Sequence, residues 1–148
     1  MSASTTMTVT IERPVEDVFA VLSDVGNAAT WSSNTIEETL LTPGPLGKGS
    51  RRRAVVKTFA GRTTHNEAEM IEFESNRRMV VRVLDAPAPV EIVIDFTPVD
   101  GGTRLDWTGT FSPRGILGPT APLMARFYRM AFEKDLRNLK ALMDRGEL

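Results

Sequence analysis

The alternation of apolar and polar positions divides the chain into short segments of strand period, framed by two segments of helical period. Thr8-Val9-Thr10-Ile11-Glu12 alternates and predicts a first strand. It leads into Arg13-Pro14-Val15-Glu16-Asp17, after which Val15, Val18, Phe19 and Leu22 recur at helical spacing and mark one apolar face. A proline is tolerated in the first turn, where its missing N–H would have no intrahelical partner, and the two carboxylates behind it suit the positive end of the helix. Gly26, Asn27 and two alanines before Trp31 predict a turn and a second short helix. Candidate strands follow at 36–41, 50–59, 62–73, 78–84, 90–97 and 103–111. Between them lie Thr42 to Gly49, the Ala60-Gly61 hairpin, Glu74 to Arg77, Asp85 to Pro89 and the Asp100-Gly101-Gly102 turn.

After a linker from Ser112 to Pro119, residues 121–144 predict a helix whose core stripe is Phe132, Leu136, Leu139 and Met143. Such a helix is roughly 35 Å long, enough to cross a sheet whose strands hold about ten residues. Short hairpins imply antiparallel pairing, and the inner face needs a cover that only this helix is long enough to provide. The expected fold is therefore α+β: a curved antiparallel sheet of about seven strands wrapped around a long C-terminal helix, with two short helices after the first strand.

Period-two phasing assigns the inner face. Val90, Ile92, Ile94 and Phe96 share it with Leu105, Trp107, Gly109 and Phe111, and Met79, Val81 and Val83 are the inward set that avoids burying Arg82. The preferred phase on 50–59 turns Arg52, Ala54, Val56 and Thr58 inward and exposes Phe59; Thr64, Asn66, Ala68 and Met70 follow on the next strand. Glu67, Glu69 and Glu72 do not fit one phase, which predicts a bulge near Met70 and Ile71. The face mixes large groups with Ala54, Ala68 and Gly109, so either bulky helix residues fill the space or a cavity remains.

Composition narrows the alternatives. At 148 residues, with 41% hydrophobic and 25% charged, the chain is expected to form one domain over 1–148. A net charge of -1 provides no global field for nucleic acid or an anionic membrane, and cysteine is absent. Residues 1–6 lack the features of a secretory signal and no apolar run approaches the ~20 residues of a membrane span. A cytoplasmic location without nucleic-acid partners or stable membrane insertion is expected; homodimerisation is left open.

Few residues invite catalysis. His65 is the sole histidine and points outward in the preferred phase, so no metal site or cofactor is expected. The glycines of Gly44 to Ser50 resemble a phosphate loop, but Lys48 is followed by glycine and Thr42 stands where that motif needs its first glycine. Arg51-Arg52-Arg53 alternates across a strand and cannot form one basic surface. Arg52 is the exception, placed to reach a cavity mouth and pair with a carboxylate or phenolate of a ligand, while Asn66 could orient a carbonyl. Met124, Phe127 and Tyr128 could adapt to an apolar guest or simply pack the core, and Trp31 is expected to cap one end of the cavity or core.

The chain resembles the START-like, helix-grip superfamily, in particular its polyketide cyclase/dehydrase-like branch. The features are Ile11 to Phe19 with Trp31, Gly47-Lys48-Gly49-Ser50-Arg51 opening a strand, Glu72-Phe73-Glu74 before Arg77-Arg78-Met79, and Asp100 to Leu105 before the last helix. The resemblance implies a hydrophobic cavity between sheet and helix that holds a lipid-like, polyketide-like or aromatic molecule. The expected lining is Trp31, Arg52, Ala54, Val56, Asn66, Ala68, Met70, Val81, Ile94, Phe96, Trp107, Met124, Phe127 and Tyr128. Binding of such a ligand is the leading expectation. A cyclase or dehydratase using Arg52, Asn66 or Tyr128 is the second, and a stress- or chaperone-related interaction module with a filled core and an exposed apolar patch is the third.

Overall fold

A computed structural model of the chain describes residues 3–57, 61–84, 90–112 and 119–148. The strands are β1 (Ala3–Ile11), β2 (Thr35–Leu40), β3 (Arg51–Lys57), β4 (Thr63–Glu74), β5 (Arg78–Val83), β6 (Val90–Val99) and β7 (Gly102–Phe111). Helices α1 (Val15–Ser23) and α2 (Ala28–Trp31), joined by a short 3-10 turn at Val25–Asn27, follow β1; α3 (Ala121–Asp144) closes the chain. Thr58, Phe59, Ala60, Asp85 to Pro89 and most of the linker before α3, expected as a strand end, a hairpin, a break and a loop, lie outside the described residues.

All seven strands pair antiparallel in the order β1-β7-β6-β5-β4-β3-β2, an open curved sheet. The first strand and the last are neighbours, so β1 and β2 form opposite edges and α1–α2 spans between them. β1 begins earlier than its apolar alternation indicates, because Ala3 already pairs with Phe111. Its outer face is held by hydroxyls: Ser4 bonds Thr110 at 3.0 Å, Thr6 bonds Thr108 at 3.1 Å, and Thr8 donates to Asp106 at 2.7 Å. Such threonine pairs stabilise a sheet without supplying an apolar signal.

Pro14 lies just before α1, where its carbonyl accepts from the N–H groups of Asp17 and Val18 at 3.0 and 3.2 Å. Val18 and Phe19 turn inward, and the Phe19 ring meets Phe73 and Phe96 at centroid distances of 5.1 and 5.0 Å. They close one end of the concave face. The expected bulge on β4 falls between Met70 and Glu72.

The long helix does not lie across the middle of the sheet. It packs mainly against β1 and also touches β7 and α2. Leu136, Leu139 and Met143 are buried beneath it, with Phe132 partly buried beside them. Arg13 fastens its C-terminal end: the guanidinium donates to the carbonyls of Met143 and Leu148 at 3.0 and 2.9 Å while holding Asp17 at 3.1 Å. The Glu12 N–H adds a bond to Asp144 at 2.8 Å. Glu12, Asp17 and Asp144 therefore serve the junction between strand, first helix and last helix.

The outer face of the sheet carries a ladder of ion pairs, Arg53–Glu67 at 3.1 Å, Arg78–Asp95 at 2.9 Å and Arg82–Glu91 at 3.1 Å among them. Exposed pairs of this kind contribute at most about 1 kcal/mol each, so the fold rests on the concave side.

The β6–β7 hairpin also secures the clamp. A Cβ on Gly102 would fall 2.1 Å from the Ile11 carbonyl oxygen, so only glycine lets β1 approach here. Gly102→Ala is expected to destabilise the protein by about 1–3 kcal/mol, the range for forced overpacking. Gly47→Ala, where nothing lies within 4 Å, should leave stability nearly unchanged. Urea denaturation of the two variants checks this, and equal midpoints would contradict it.

Candidate functional site

Because α3 hugs β1 and β7, the inner faces of β3 to β6 meet it across a gap. A cavity of about 210 Å³ occupies that space. Its sheet wall is built by alternate residues of adjoining strands: Ala54 on β3, Asn66, Ala68 and Met70 on β4, Met79, Val81 and Val83 on β5, and Ile92 and Ile94 on β6. The alanines make this wall concave. Phe132, Asp135 and Leu136 supply the helix side, and Leu22, Val25, Ala28 and Trp31 supply the flank from the short helices.

Trp107 of β7 joins these walls. Its ring meets Trp31 edge-on at 6.1 Å and an interplanar angle of 79°, and lies 5.9 Å from Phe132. At Gly109, of the two alternatives left open by the sequence, rings fill the space: a Cβ there would lie 3.2 Å from both Phe111 and Phe132. Its missing side chain lets Phe132 seat against the sheet.

Trp31, Arg52, Ala54, Asn66, Ala68, Met70, Val81, Ile94 and Trp107 all line this one cavity. Val56, Phe96, Met124, Phe127 and Tyr128 do not. Phe96 shares the inward phase but sits at the end that Phe19 closes. Tyr128 stacks on Phe111 at 4.4 Å, where burial pushes its phenol above the ordinary value. Phe127 faces solvent at 63% exposure, as do Leu123 and Met130 on the same outer stripe. His65 is exposed. Among the described residues no group of histidine, cysteine and carboxylate side chains could hold a metal ion.

Two polar features escaped the hydrophobic pattern. One is Glu38 on β2, whose side chain is only 6% exposed and whose Oε1 lies 2.7 Å from the Arg52 guanidinium. A register shift between Thr35 and Glu37 turns Ile36 outward, at 44% exposure, and Glu38 inward. Leu40 is the partner of Arg52 and Glu38 that of Ala54, so the pair is diagonal across two strands. Burial raises the Glu38 carboxyl above 4.5, and the positive charge of Arg52 offsets part of the rise. The contact is close but not aligned as a hydrogen bond, since Oε1 has no hydrogen-bond donor. An inward arginine on β3 in need of a counter-charge was the available signal for Glu38.

The second is Asp135, buried on the cavity side of α3. It accepts from the Ser33 N–H and hydroxyl, both at 2.9 Å, and from the Ser32 hydroxyl at 3.2 Å. Thr35 in turn donates to Ser32 at 3.0 Å. These bonds tie the α2–β2 turn to α3 and fix the distance between cavity flank and helix.

Compared with known proteins, residues 2–144 match the model of a family described as polyketide cyclase / dehydrase and lipid transport. The chain belongs to that family. No curated protein matches it in sequence. Among solved structures, this family member is similar to the protein TTHA0849 from Thermus thermophilus, with a TM-score of 0.80, 18% identity and coverage of 99% of this chain and 100% of that one. A START superfamily protein from Mycobacterium smegmatis gives 0.80 at 13% identity, covering 96% and 97%. The di-domain ARO/CYC StfQ from the steffimycin biosynthetic pathway gives 0.82 at 13% identity, and the match covers 100% of this chain and 53% of StfQ. These likenesses establish the helix-grip fold of the family member. No described helix is long and apolar enough to cross a membrane.

The raised pKa of Glu38 has a defined consequence. Its folded-state value exceeds the unfolded one, so its contribution to stability is full below about pH 4.5 and is lost as pH rises through the folded midpoint. Carbon-13 NMR of the Glu38 carboxyl should give a midpoint above 4.5. A midpoint below that value would show that Arg52 outweighs burial.

Proposed function

We propose that the protein binds a small, largely apolar molecule in the cavity between sheet and C-terminal helix, and that its residues shape and desolvate the guest without reacting with it. The observation that carries this reading is the 210 Å³ cavity faced by Ala54, Ala68, Val81, Ile94, Trp107 and Leu136. A guest burying about 300 Å² of apolar surface at roughly 25 cal/mol per Å² gains ~7 kcal/mol before association costs. Micromolar binding therefore needs no catalytic group. The family description, which includes lipid transport, supports the same reading.

A second reading, a cyclase or dehydratase, is favoured by one observation: Glu38 combines burial at the cavity with a raised pKa, the usual setting of a general acid. It ranks lower because Glu38 is held against Arg52 and no described base is hydrogen-bonded to it. An enzyme acting through Glu38 would lose turnover in Glu38→Gln while keeping its guest. The interaction-module reading expects a filled core and an exposed apolar patch; the exposed stripe of Leu123, Phe127 and Met130 agrees with the second, and the cavity weighs against the first.

Native mass spectrometry of protein purified without denaturation should reveal a co-purifying small molecule. With the neutral fluorophore N-phenyl-1-naphthylamine as probe, Ala54→Phe should weaken binding at least about tenfold by filling the sheet wall, with a melting temperature close to that of the parent. Unchanged probe affinity in that variant would place binding elsewhere and overturn the proposal.

A further inference from the structure

The hydrogen-bonding state of the cavity wall indicates what kind of guest it takes, if the binding reading above holds. Among the described residues, the charged groups in the lining are Asp24, Glu38, Asp135 and Arg52, a formal excess of carboxylates. Each is already engaged within the chain. Asp24 accepts from the Gly26 N–H at 3.0 Å, Asp135 accepts from three donors, and Arg52 is neutralised by Glu38. The hydroxyl protons of Ser32 and Thr35 are also committed, to Asp135 and Ser32.

Two donors remain. The indole N–H of Trp107, a residue 93% buried by its 7% exposure, has no acceptor. Asn66, on the sheet wall of the same cavity, has no hydrogen-bond partner for its amide among the described residues. Burying the Trp107 N–H without an acceptor is expensive, so a guest that supplies one removes a standing penalty, and the half-buried Asn66 offers its amide to the same guest. A carboxylate would bring a further negative charge into a wall where Arg52, the one cation among the described lining residues, already faces Glu38. An ammonium would have to shed its water in a mainly apolar space where Asp135 already accepts three bonds and Glu38 faces Arg52.

The geometry points to an uncharged, mainly apolar guest that carries a hydrogen-bond acceptor, a ketone or ester oxygen, received by Asn66 and Trp107, and to discrimination against fatty-acid-like carboxylates. Arg52 is then a counter-charge for Glu38 and not a receptor for an anionic head.

Three near-isosteric naphthalenes test this at pH 7: 2-acetylnaphthalene, its hydrocarbon counterpart 2-isopropenylnaphthalene, and 2-naphthoate. Titration calorimetry should find the ketone about threefold to tenfold tighter than the hydrocarbon, the worth of one neutral hydrogen bond, and the carboxylate at least about tenfold weaker than the ketone. Asn66→Leu and Trp107→Phe should each shrink the ketone's advantage, and Glu38→Gln should narrow the discrimination against naphthoate by releasing Arg52. The parent protein decides the matter even where a variant fails to fold. Naphthoate or 1-(2-naphthyl)ethylammonium binding as tightly as the ketone overturns the inference, as does a hydrocarbon that binds equally well. If N-phenyl-1-naphthylamine is held but none of the naphthalenes is, the inference fails alone; if nothing binds, the binding reading fails with it.

Discussion

Everything at the site depends on where α3 is fastened. One helix has to cover the concave face of seven strands, and it is tied to one side of it: its C-terminal end is held by Arg13 through the carbonyls of Met143 and Leu148, and its length runs along β1 with contacts to β7. Fastened there, it cannot also close on β3 to β6. The gap results from an off-centre helix combined with alanines on the facing strands, and would vanish if either were changed.

The gap keeps its width because polar bonds brace it. Asp135 binds the turn after α2 through Ser32 and Ser33, so the flank cannot drift from the helix. Glu38 and Arg52 brace the β2–β3 side in the same way, at an electrostatic cost visible in the raised Glu38 carboxyl. A buried pair of this kind stabilises little, because desolvation offsets the attraction, and its more consistent effect is to fix which groups meet. Here it commits Arg52, the single arginine among the described residues of the cavity wall, to a partner inside the chain. The chemistry left to a guest is thereby shifted from charge recognition to shape and a neutral hydrogen bond.

Much of the architecture was legible in the chain. Strict alternation on β6 and β7, and the stripe Phe132, Leu136, Leu139 and Met143, define one inner face and the helix over it. The same phasing puts Ala54, Asn66 and Ala68 on one wall. It was less informative where the signal is not apolar. The Ser/Thr-rich first half of β1 pairs through hydroxyls, and Glu38 turns inward only because a register shift reverses the phase of β2. Phasing also identifies a face without locating the helix along it. Phe96 and Trp107 are equivalent by pattern, yet Phe19 covers the first and the cavity opens beside the second. Phe127 and Tyr128 depend on the rotation and offset of α3, which tertiary contacts set.

The position of a bound guest tests the account most directly. Intermolecular nuclear Overhauser effects should be measured between N-phenyl-1-naphthylamine and the methyl groups of the protein. The off-centre helix requires contacts to Val81, Ile94 and Leu136, which face one another across the gap, and none to the exposed Leu123. Contacts confined to Leu123 and Met130 on the outer stripe of α3 would contradict it, and would show that the space beneath the helix does not receive a ligand.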